Sequence, residues 1–357
     1  MTTSTPDAVR RDYATLDTHL ARLARSGGEL DNQFTNHAPM VVEALCALGR
    51  GADAGPWLDG YASHLLPRPA HVRPVRCEHW QEALGDPARE SDWRAFFAAE
   101  IDAAGVAATV RTWVPRLAPG FSASAAHGVI RTGHAVRALR VEDTPTRRDE
   151  LAAALGYWAA CFGTLPAGED SGLGLTPAAA IERVPFLPDP LRNHKGSIVA
   201  ALRPLGTWEP FADVAASIDV SPAPDATIDA LADVFARVYL ANATRWIDTI
   251  VFVHALTGIA ALAHLTPLLD AADARTAVRY AWQTGAALYA VYGTQAPAPE
   301  GAFDAARHGA AALVDAAIAT DDEHAIKVTE ACLFFHSRVP RQQFLAVADH
   351  AIRILGA

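Results

Sequence analysis

Apolar and polar residues follow a helical period over most of this chain of 357 residues. Alanine and leucine recur three or four positions apart, and this spacing places an apolar stripe on one face of an α-helix. Strand signals are weak, because alternating β-branched runs are few. The pattern predicts helices over residues 7–25, 36–50, 92–117, 124–141, 147–163, 226–241, 244–265, 273–292, 302–319, 321–338 and 340–355.

Two proline-rich stretches interrupt this pattern. The composition of residues 66–76 predicts an irregular connection that crosses the protein surface. Residues 165–225 combine many prolines and glycines with short apolar segments, which favours a loop-rich excursion from the core. Long connections of this kind are typical of lids and binding loops. Since no fixed-period repeat is present, we predict a single all-α domain over residues 1–357.

Composition excludes several classes of protein. A net charge of −10 leaves no basic surface for nucleic acid, and an apolar fraction of 51% is that of a folded chain. The most apolar run, 246–269, contains Asp248, His254 and His264, so it predicts a buried core helix rather than a membrane span. The N-terminus has no apolar signal region, and the four cysteines form no CxxC pair. We therefore expect a cytoplasmic protein with reduced thiols.

Histidine carries the candidate chemistry, because the common nucleotide, serine hydrolase and HExxH metal motifs are absent. His37 follows Asn36, which can cap a helix. His127 is followed by Arg131 and His134 at i+4 and i+7, so the three share one helix face. Either of two serines can cap that helix, Ser122 or Ser124.

Two further helices each contribute a histidine. His254 lies in the middle of an apolar helix, and His324 precedes Lys327 by three residues on one face of a late helix. The predicted cap of the late helix is Asp321 or Asp322. A lone histidine in such a helix is more often a hydrogen-bonded core residue than a ligand. The alternative for the lysine is an ion pair with Glu323 or Glu330 on a solvated face.

Four segments together resemble the questin oxidase-like family: NHAPMVVEALCALGR, AHGVIRTGHAVRAL, FVHALTG and DDEHAIK, in this order and spacing. The resemblance extends from about His37 to Lys327. Members act on aromatic polyketides and open anthraquinone-type rings by Baeyer–Villiger-like or dioxygenase-like oxidation. The family includes a non-haem iron enzyme whose metal is held by histidines and a carboxylated lysine. The resemblance therefore implies the metal ligands His37, His127, His254, His324 and Lys327.

One motif departs from the family pattern. Fungal members tend to have His-Pro-Leu-Ile-His where this chain has HGVIR, so Arg131 stands in place of the second histidine and His134 lies one turn further on. We expect both residues to be catalytic, lining the pocket and stabilising a phenolate or quinone oxygen. Trp246, Tyr157 and Trp158 are candidates for pocket walls, or for large packing residues.

The lysine has a chemical rationale of its own. Lys195 and Lys327 are the two lysines among 30 basic residues, the others being arginine. Burial lowers the pKa of a lysine and makes the neutral amine available. The neutral amine adds to CO2 and loses a proton, which gives a carbamate with anionic oxygen donors. Arginine stays protonated and cannot react in this way.

The resemblance, together with the histidine and lysine pattern, implies a metal-dependent oxygenase of secondary metabolism that acts on a small aromatic polyketide and holds its metal between helices. Fe(II) is the expected ion and O2 the expected co-substrate, with zinc or another divalent ion as alternatives. NADPH is compatible as an external reductant, although no binding motif for it is visible. Two other functions stay open: a zinc-dependent hydrolase or isomerase, and a metal-free helical protein that binds a polyketide. A homo-oligomer is compatible with the sequence.

Overall fold

The computed structural model describes residues 6–32, 34–166 and 173–357, and these ranges are mostly helical. The all-α prediction is therefore confirmed. Short 3-10 segments join many of the helices. In chain order the α-helices are α1 Pro6–Asp12, α2 Leu16–Leu23, α3 Ala38–Ala47, α4 Ala54–Tyr61, α5 Glu90–Ala104, α6 Val106–Leu117, α7 His127–Val141, α8 Pro145–Ala160, α9 Pro177–Ile181, α10 Ile198–Leu202, α11 Pro224–Asn242, α12 Trp246–Leu265, α13 Ala271–Tyr292, α14 Ala310–Ala319, α15 Glu323–Arg338 and α16 Gln342–Leu355.

Helix α12 lies at the centre of the bundle, in contact with α7, α11, α13 and α15. Residues 248–263 are all buried, which explains why this helix is apolar on every face. The segment Trp246–Leu268 is long and apolar enough to cross a membrane, but most of its apolar stretch is buried inside the protein. It is a core helix, as the sequence predicts.

The helix predictions are confirmed in kind, but several boundaries differ. The segment predicted as 92–117 is two helices, α5 and α6, because Gly105 between them has a φ of +84° that ends the first helix. The segment predicted as 7–25 is also two helices, α1 and α2, and α14 begins at Ala310 rather than at 302. Helical periodicity continues across such breaks, so it does not reveal them.

A short two-stranded sheet is a feature that the helical pattern does not predict. Strands β1 (Ser26–Leu30) and β2 (Leu65–Pro67) pair antiparallel, with Ser26 opposite Pro67 and Leu30 opposite Leu65. The proline-rich crossing predicted at 66–76 begins in β2. The sheet matters for the site because β1 leads directly into the segment before α3.

The loop-rich excursion contains the short helices α9 and α10 together with several 3-10 segments. Helix α10 contacts α13 and the turn that precedes α7. Residues 167–172 of the excursion, like residues 1–5 of the chain, lie outside the described part. The single-domain prediction remains a prediction.

Helices α7 and α12 approach each other unusually closely at Gly133. A methyl group on Gly133 would lie 2.6 Å from both Cα and Cβ of Ala261, well inside van der Waals contact. Only glycine permits this separation of the two backbones. The approach fixes the distance between His127 on α7 and His254 on α12.

Candidate functional site

His37 is held at the start of α3, where it occupies the N-cap position. The side-chain oxygen of Asn36 accepts a hydrogen bond from the Ala38 backbone N–H (3.0 Å), and its amide donates to the carbonyl of Gly27 in β1. The His37 backbone N–H donates to the Tyr61 hydroxyl (3.0 Å). The predicted cap is displaced by one residue, because the N-cap is His37 and Asn36 lies just before it, although the Asn36 side chain accepts from the first N–H of the helix.

His127 begins α7 directly after a strained turn. Ser124, Ala125 and Ala126 have φ values of 45°, 53° and 67°, in the left-handed region that costs about 1–2 kcal/mol for each non-glycine residue. The Ser124 carbonyl accepts a hydrogen bond from His127 Nδ1. The predicted cap by Ser122 or Ser124 is wrong, because the N-cap is Ala126 and no side chain caps the helix. Backbone strain of this kind is typical of functional sites.

The other two histidines come from α12 and α15. His254 lies in the middle of α12, and its Nδ1 donates to the carbonyl of Ile250 at 2.6 Å. His324 is in the first turn of α15, where Asp322 caps the helix by accepting from the backbone N–H groups of His324 and Ala325 (2.8 and 2.9 Å). Of the two predicted caps for this helix, Asp322 is therefore confirmed.

These four histidines converge, although they come from four helices. The ring centroids of His37 and His127 are 4.6 Å apart, and those of His37 and His324 are 4.7 Å apart. His254 lies 4.7 Å from His127 and 5.6 Å from His324, which closes a ring of four imidazoles. All four side chains are buried. The four histidines therefore lie together, as predicted. Their role as metal ligands remains a prediction.

The nitrogen atoms of the cluster suit a cation. His127 and His254 each donate through Nδ1 to a backbone carbonyl, so a neutral ring carries its lone pair on Nε2. The two Nε2 atoms face each other at 3.2 Å, which brings two lone pairs together. Among the described residues, Nδ1 of His37 and Nδ1 of His324 are buried without a hydrogen-bond partner. A metal ion among the four rings would satisfy these atoms, and backbone carbonyls commonly orient metal-binding histidines in this way.

Electrostatics keep the imidazoles neutral, as metal binding requires. Burial lowers the pKa of all four histidines, that of His254 to about 3. The charge of Lys327 lowers each of the four pKa values further, so the lysine lies within electrostatic range of every ring.

Lys327 is itself buried, with 2% of its surface exposed. Burial lowers its pKa to about 8, although Glu323 and Asp322 act in the opposite direction. The alternative of a solvated, ion-paired lysine is therefore wrong. Glu330 pairs instead with Arg137, and no described carboxylate forms a salt bridge with Lys327.

A cavity of about 460 Å³ opens above the four histidines. Its wall is formed by the segment after β1, the turn before α7, helix α10, and the starts of α12 and α15. The described lining residues are Glu29, Asn32, Phe34, Thr35, His37, Ser124, Ala125, His127, Gly196, Ser197, Ile198, Val199, Trp246, Ile247, Ile250, His254, Asp322, Glu323 and His324. Helix α10 belongs to the 165–225 excursion, which thus contributes to the cavity, as expected of a lid or binding loop.

Glu323 is a candidate that the sequence reasoning missed. Its Oε1 lies 3.4 Å from His37 Nδ1 and 3.8 Å from His324 Nδ1. Donor atoms of these three residues all lie within 4.8 Å of one another, close enough to hold one ion. The sequence suggested Glu323 only as a partner of Lys327, although its position beside His324 in the first turn of α15 was a usable signal.

The prediction for Arg131 and His134 needs a correction, because the described lining of the cavity includes neither residue. The Arg131 guanidinium forms a two-pronged salt bridge with Glu150 of α8 (2.6 and 2.9 Å). His134 Nδ1 lies 2.6 Å from Glu43 Oε2 of α3. These residues share a face with His127, but one and two turns along the axis, about 5 and 10 Å, carry them away from the helix start where the cavity lies. Their predicted oxyanion role has no geometric basis.

The three aromatic candidates have different surroundings. Trp246 lies at the mouth of the cavity and is 52% exposed. Trp158 is fully buried, and its indole N–H donates to the Gly120 carbonyl, so it is a packing residue. Tyr157 lies behind the cavity wall, where its hydroxyl donates to Glu29 Oε1 at 2.7 Å.

Comparison with known proteins gives a family match in the segment that carries His37 and His127. Residues 34–142 match the questin oxidase-like family. The match confirms the resemblance that the motifs indicate, while His254, His324 and Lys327 lie beyond the matched segment. No curated protein matches the chain. The questin oxidase-like match supports an oxidoreductase that acts on a polyketide.

Proposed function

We propose that the protein is a non-haem iron oxygenase that cleaves or inserts oxygen into the ring system of an aromatic polyketide. The observation that carries the proposal is the pair of Nε2 lone pairs, on His127 and His254, that face each other at 3.2 Å in a buried site. A metal-free binding protein would have no reason to hold two such acceptors together. The four imidazoles would hold the ion, and Lys327 in its carbamate form would supply an anionic oxygen.

When bound, Fe(II) supplies the redox chemistry that O2 needs as co-substrate. The protein contributes orientation and shelter. The carbonyls of Ser124 and Ile250 fix the orientation of two imidazoles, and the strained turn before α7 holds His127 at the cavity floor. Apolar side chains such as Ile247 and Ile250 keep water from the wall of the cavity.

The carbamate role of Lys327 is supported by its surroundings. An unpaired buried ammonium costs several kcal/mol, and a nearby metal cation would repel it. Carboxylation removes both problems, because the cation becomes an anion that can bind the metal. The lowered pKa of Lys327, about 8, favours the neutral amine that this reaction needs.

A zinc-dependent hydrolase is the second candidate, and Glu323 is the observation that favours it. The Glu323 carboxylate lies 3.4 Å from His37 Nδ1. In that position it could act as the general base for a water molecule bound to the metal. Identification of the metal separates the two functions, because zinc has no redox chemistry.

Substitution of His324 by alanine is expected to lower the metal content at least about tenfold, because one of the imidazole donors is lost. His336→Ala is the matched control on the same helix, since His336 contacts the Arg341 carbonyl and does not line the cavity. Both variants and the unmodified protein are purified without chelator, and their metal is measured by elemental analysis.

A His324→Ala protein that folds and retains the full metal content would show that the ion is bound elsewhere. Equal loss of metal in both variants would indicate that α15 as a whole, rather than the His324 ring, is needed. Thermal unfolding without metal controls for folding, and we expect similar transition temperatures for the two variants.

A further inference from the structure

The mouth of the cavity exposes apolar side chains that a protein usually buries. Phe34 is 57% exposed, Trp246 52% and Val199 40%, and they come from three separate parts of the chain. All three line the same cavity. Exposed apolar groups gathered at one opening mark a binding surface, and aromatic side chains provide flat faces for ring stacking.

The charges of the cavity favour an uncharged ligand. Its described lining includes three carboxylates, Glu29, Asp322 and Glu323, but no lysine or arginine. Away from the metal position, a phosphate or carboxylate group would meet like charges, and the described lining offers no lysine or arginine to pair with it. Asp322 is engaged in capping α15, and Glu323 lies beside the histidines. Glu29 is therefore the carboxylate that remains for a ligand.

Glu29 is oriented from behind by Tyr157. The Tyr157 hydroxyl donates to Glu29 Oε1 at 2.7 Å, and it also lies within hydrogen-bond distance of Thr35 Oγ1 (3.0 Å) and Ser124 Oγ (3.1 Å). The Tyr157 side chain is buried, so this support is rigid. Among the described residues, Tyr157 is the hydrogen-bond donor to this carboxylate. Its second oxygen thus keeps acceptor capacity for a group in the cavity.

We propose that Glu29 is the specificity-determining residue of this site, and that it accepts a hydrogen bond from a free hydroxyl group of an uncharged, flat aromatic substrate. Phe34 and Trp246 hold the ring system at the mouth, and Tyr157 positions the Glu29 carboxylate. This inference rests on the proposed function, because it describes recognition at the same site. It does not depend on the identity of the metal.

Isothermal titration calorimetry with three related probes tests the proposal: a hydroxyanthraquinone, its methyl ether, and the same hydroxyanthraquinone bearing a carboxylate. For the unmodified protein, the carboxylate probe is expected to bind at least about tenfold more weakly than the uncharged hydroxyl probe. Glu29→Gln should weaken binding of the hydroxyl probe about tenfold, because the charged acceptor is replaced by a neutral amide. It should leave binding of the methyl ether unchanged, since this probe has no proton to donate.

Trp246→Ala should weaken all three probes by a similar factor, about tenfold, because stacking does not depend on the hydroxyl. Phe186→Ala is the matched control: Phe186 is an exposed aromatic residue (38%) that does not line the cavity, and its substitution should leave binding unchanged.

Two results would overturn the proposal: an equal effect of Glu29→Gln on the hydroxyl probe and its methyl ether, or tighter binding of the carboxylate probe. Metal analysis of the same samples separates failure of the Glu29 proposal from failure of the proposed oxygenase function. The expected binding pattern in a protein that takes up no redox metal would contradict only the oxygenase. Bound iron without that pattern would contradict only the role of Glu29.

Discussion

Replacement of Lys327 by arginine is expected to remove the bound metal and to lower turnover at least about a hundredfold, although charge and approximate length are retained. The physical reason is that a guanidinium cannot react with CO2 and stays protonated. Lys327 is buried, and its charge lowers the pKa of each of the four histidines, so an arginine there would place a permanent cation beside the metal position. An oxygen donor would be exchanged for a repelling charge.

Metal content and activity are measured for Lys327→Arg, Lys327→Ala and Lys195→Arg. Lys195 is the other lysine of the chain and is exposed, so its substitution should change neither quantity. Short carboxylic acids should partly restore metal binding to Lys327→Ala by filling the vacant position. Labelling with 13CO2 should give a carbamate carbon signal in the unmodified protein. Retention of metal and activity by Lys327→Arg would disprove the ligand role.

Substitution of Arg137 by alanine is expected to lower the free energy of unfolding by about 3–5 kcal/mol, because it leaves the buried Glu330 without its counter-charge and the buried Glu43 with His134 alone. The Arg137 guanidinium donates to Glu43 at 2.6 and 2.8 Å and also to Glu330, joining α7 to α3 and α15. Burial alone would raise the pKa of Glu43, but Arg137 and His134 hold it well below its usual value. His134 belongs to this ionic network rather than to the cavity.

Urea unfolding monitored by circular dichroism measures this effect. Arg148→Ala is the control, since the Arg148–Asp143 pair is about half exposed and should contribute little to stability. A loss below about 1 kcal/mol for Arg137→Ala would show that water or local rearrangement compensates the two carboxylates. The fraction of Arg137→Ala that folds should still bind metal, because Arg137 does not line the cavity.

The four histidines could be selected from the sequence because each is a polar residue in an otherwise apolar helical segment. Family motifs then linked residues as distant as His37 and His324, a proximity that spacing alone does not give. The apolar neighbours of Lys327, Ile326 and Val328, favoured its burial, but the choice over a solvated ion pair rested on the family resemblance. The structure brings the four histidines together, and Lys327 lies within electrostatic range of each ring.

Other parts of the site depend on tertiary structure that periodicity does not encode. Arg131 and His134 share the helix face of His127, but the direction of α7 carries them to Glu150 and Glu43. The left-handed turn before His127 consists of serine and alanine, residues that give no signal for this conformation. Glu29 lies on a short strand without a strand pattern, so its position in the cavity could not be predicted.

Metal analysis of the unmodified protein, purified without chelator or nickel resin, tests the central claim most directly. Elemental analysis is combined with electron paramagnetic resonance of the reduced protein under nitric oxide. We expect about one iron per chain, with a ferrous nitrosyl signal that shows an accessible coordination position. Zinc at that occupancy would point to the hydrolase, and protein that binds neither ion when both are supplied would contradict a metal site at the four histidines.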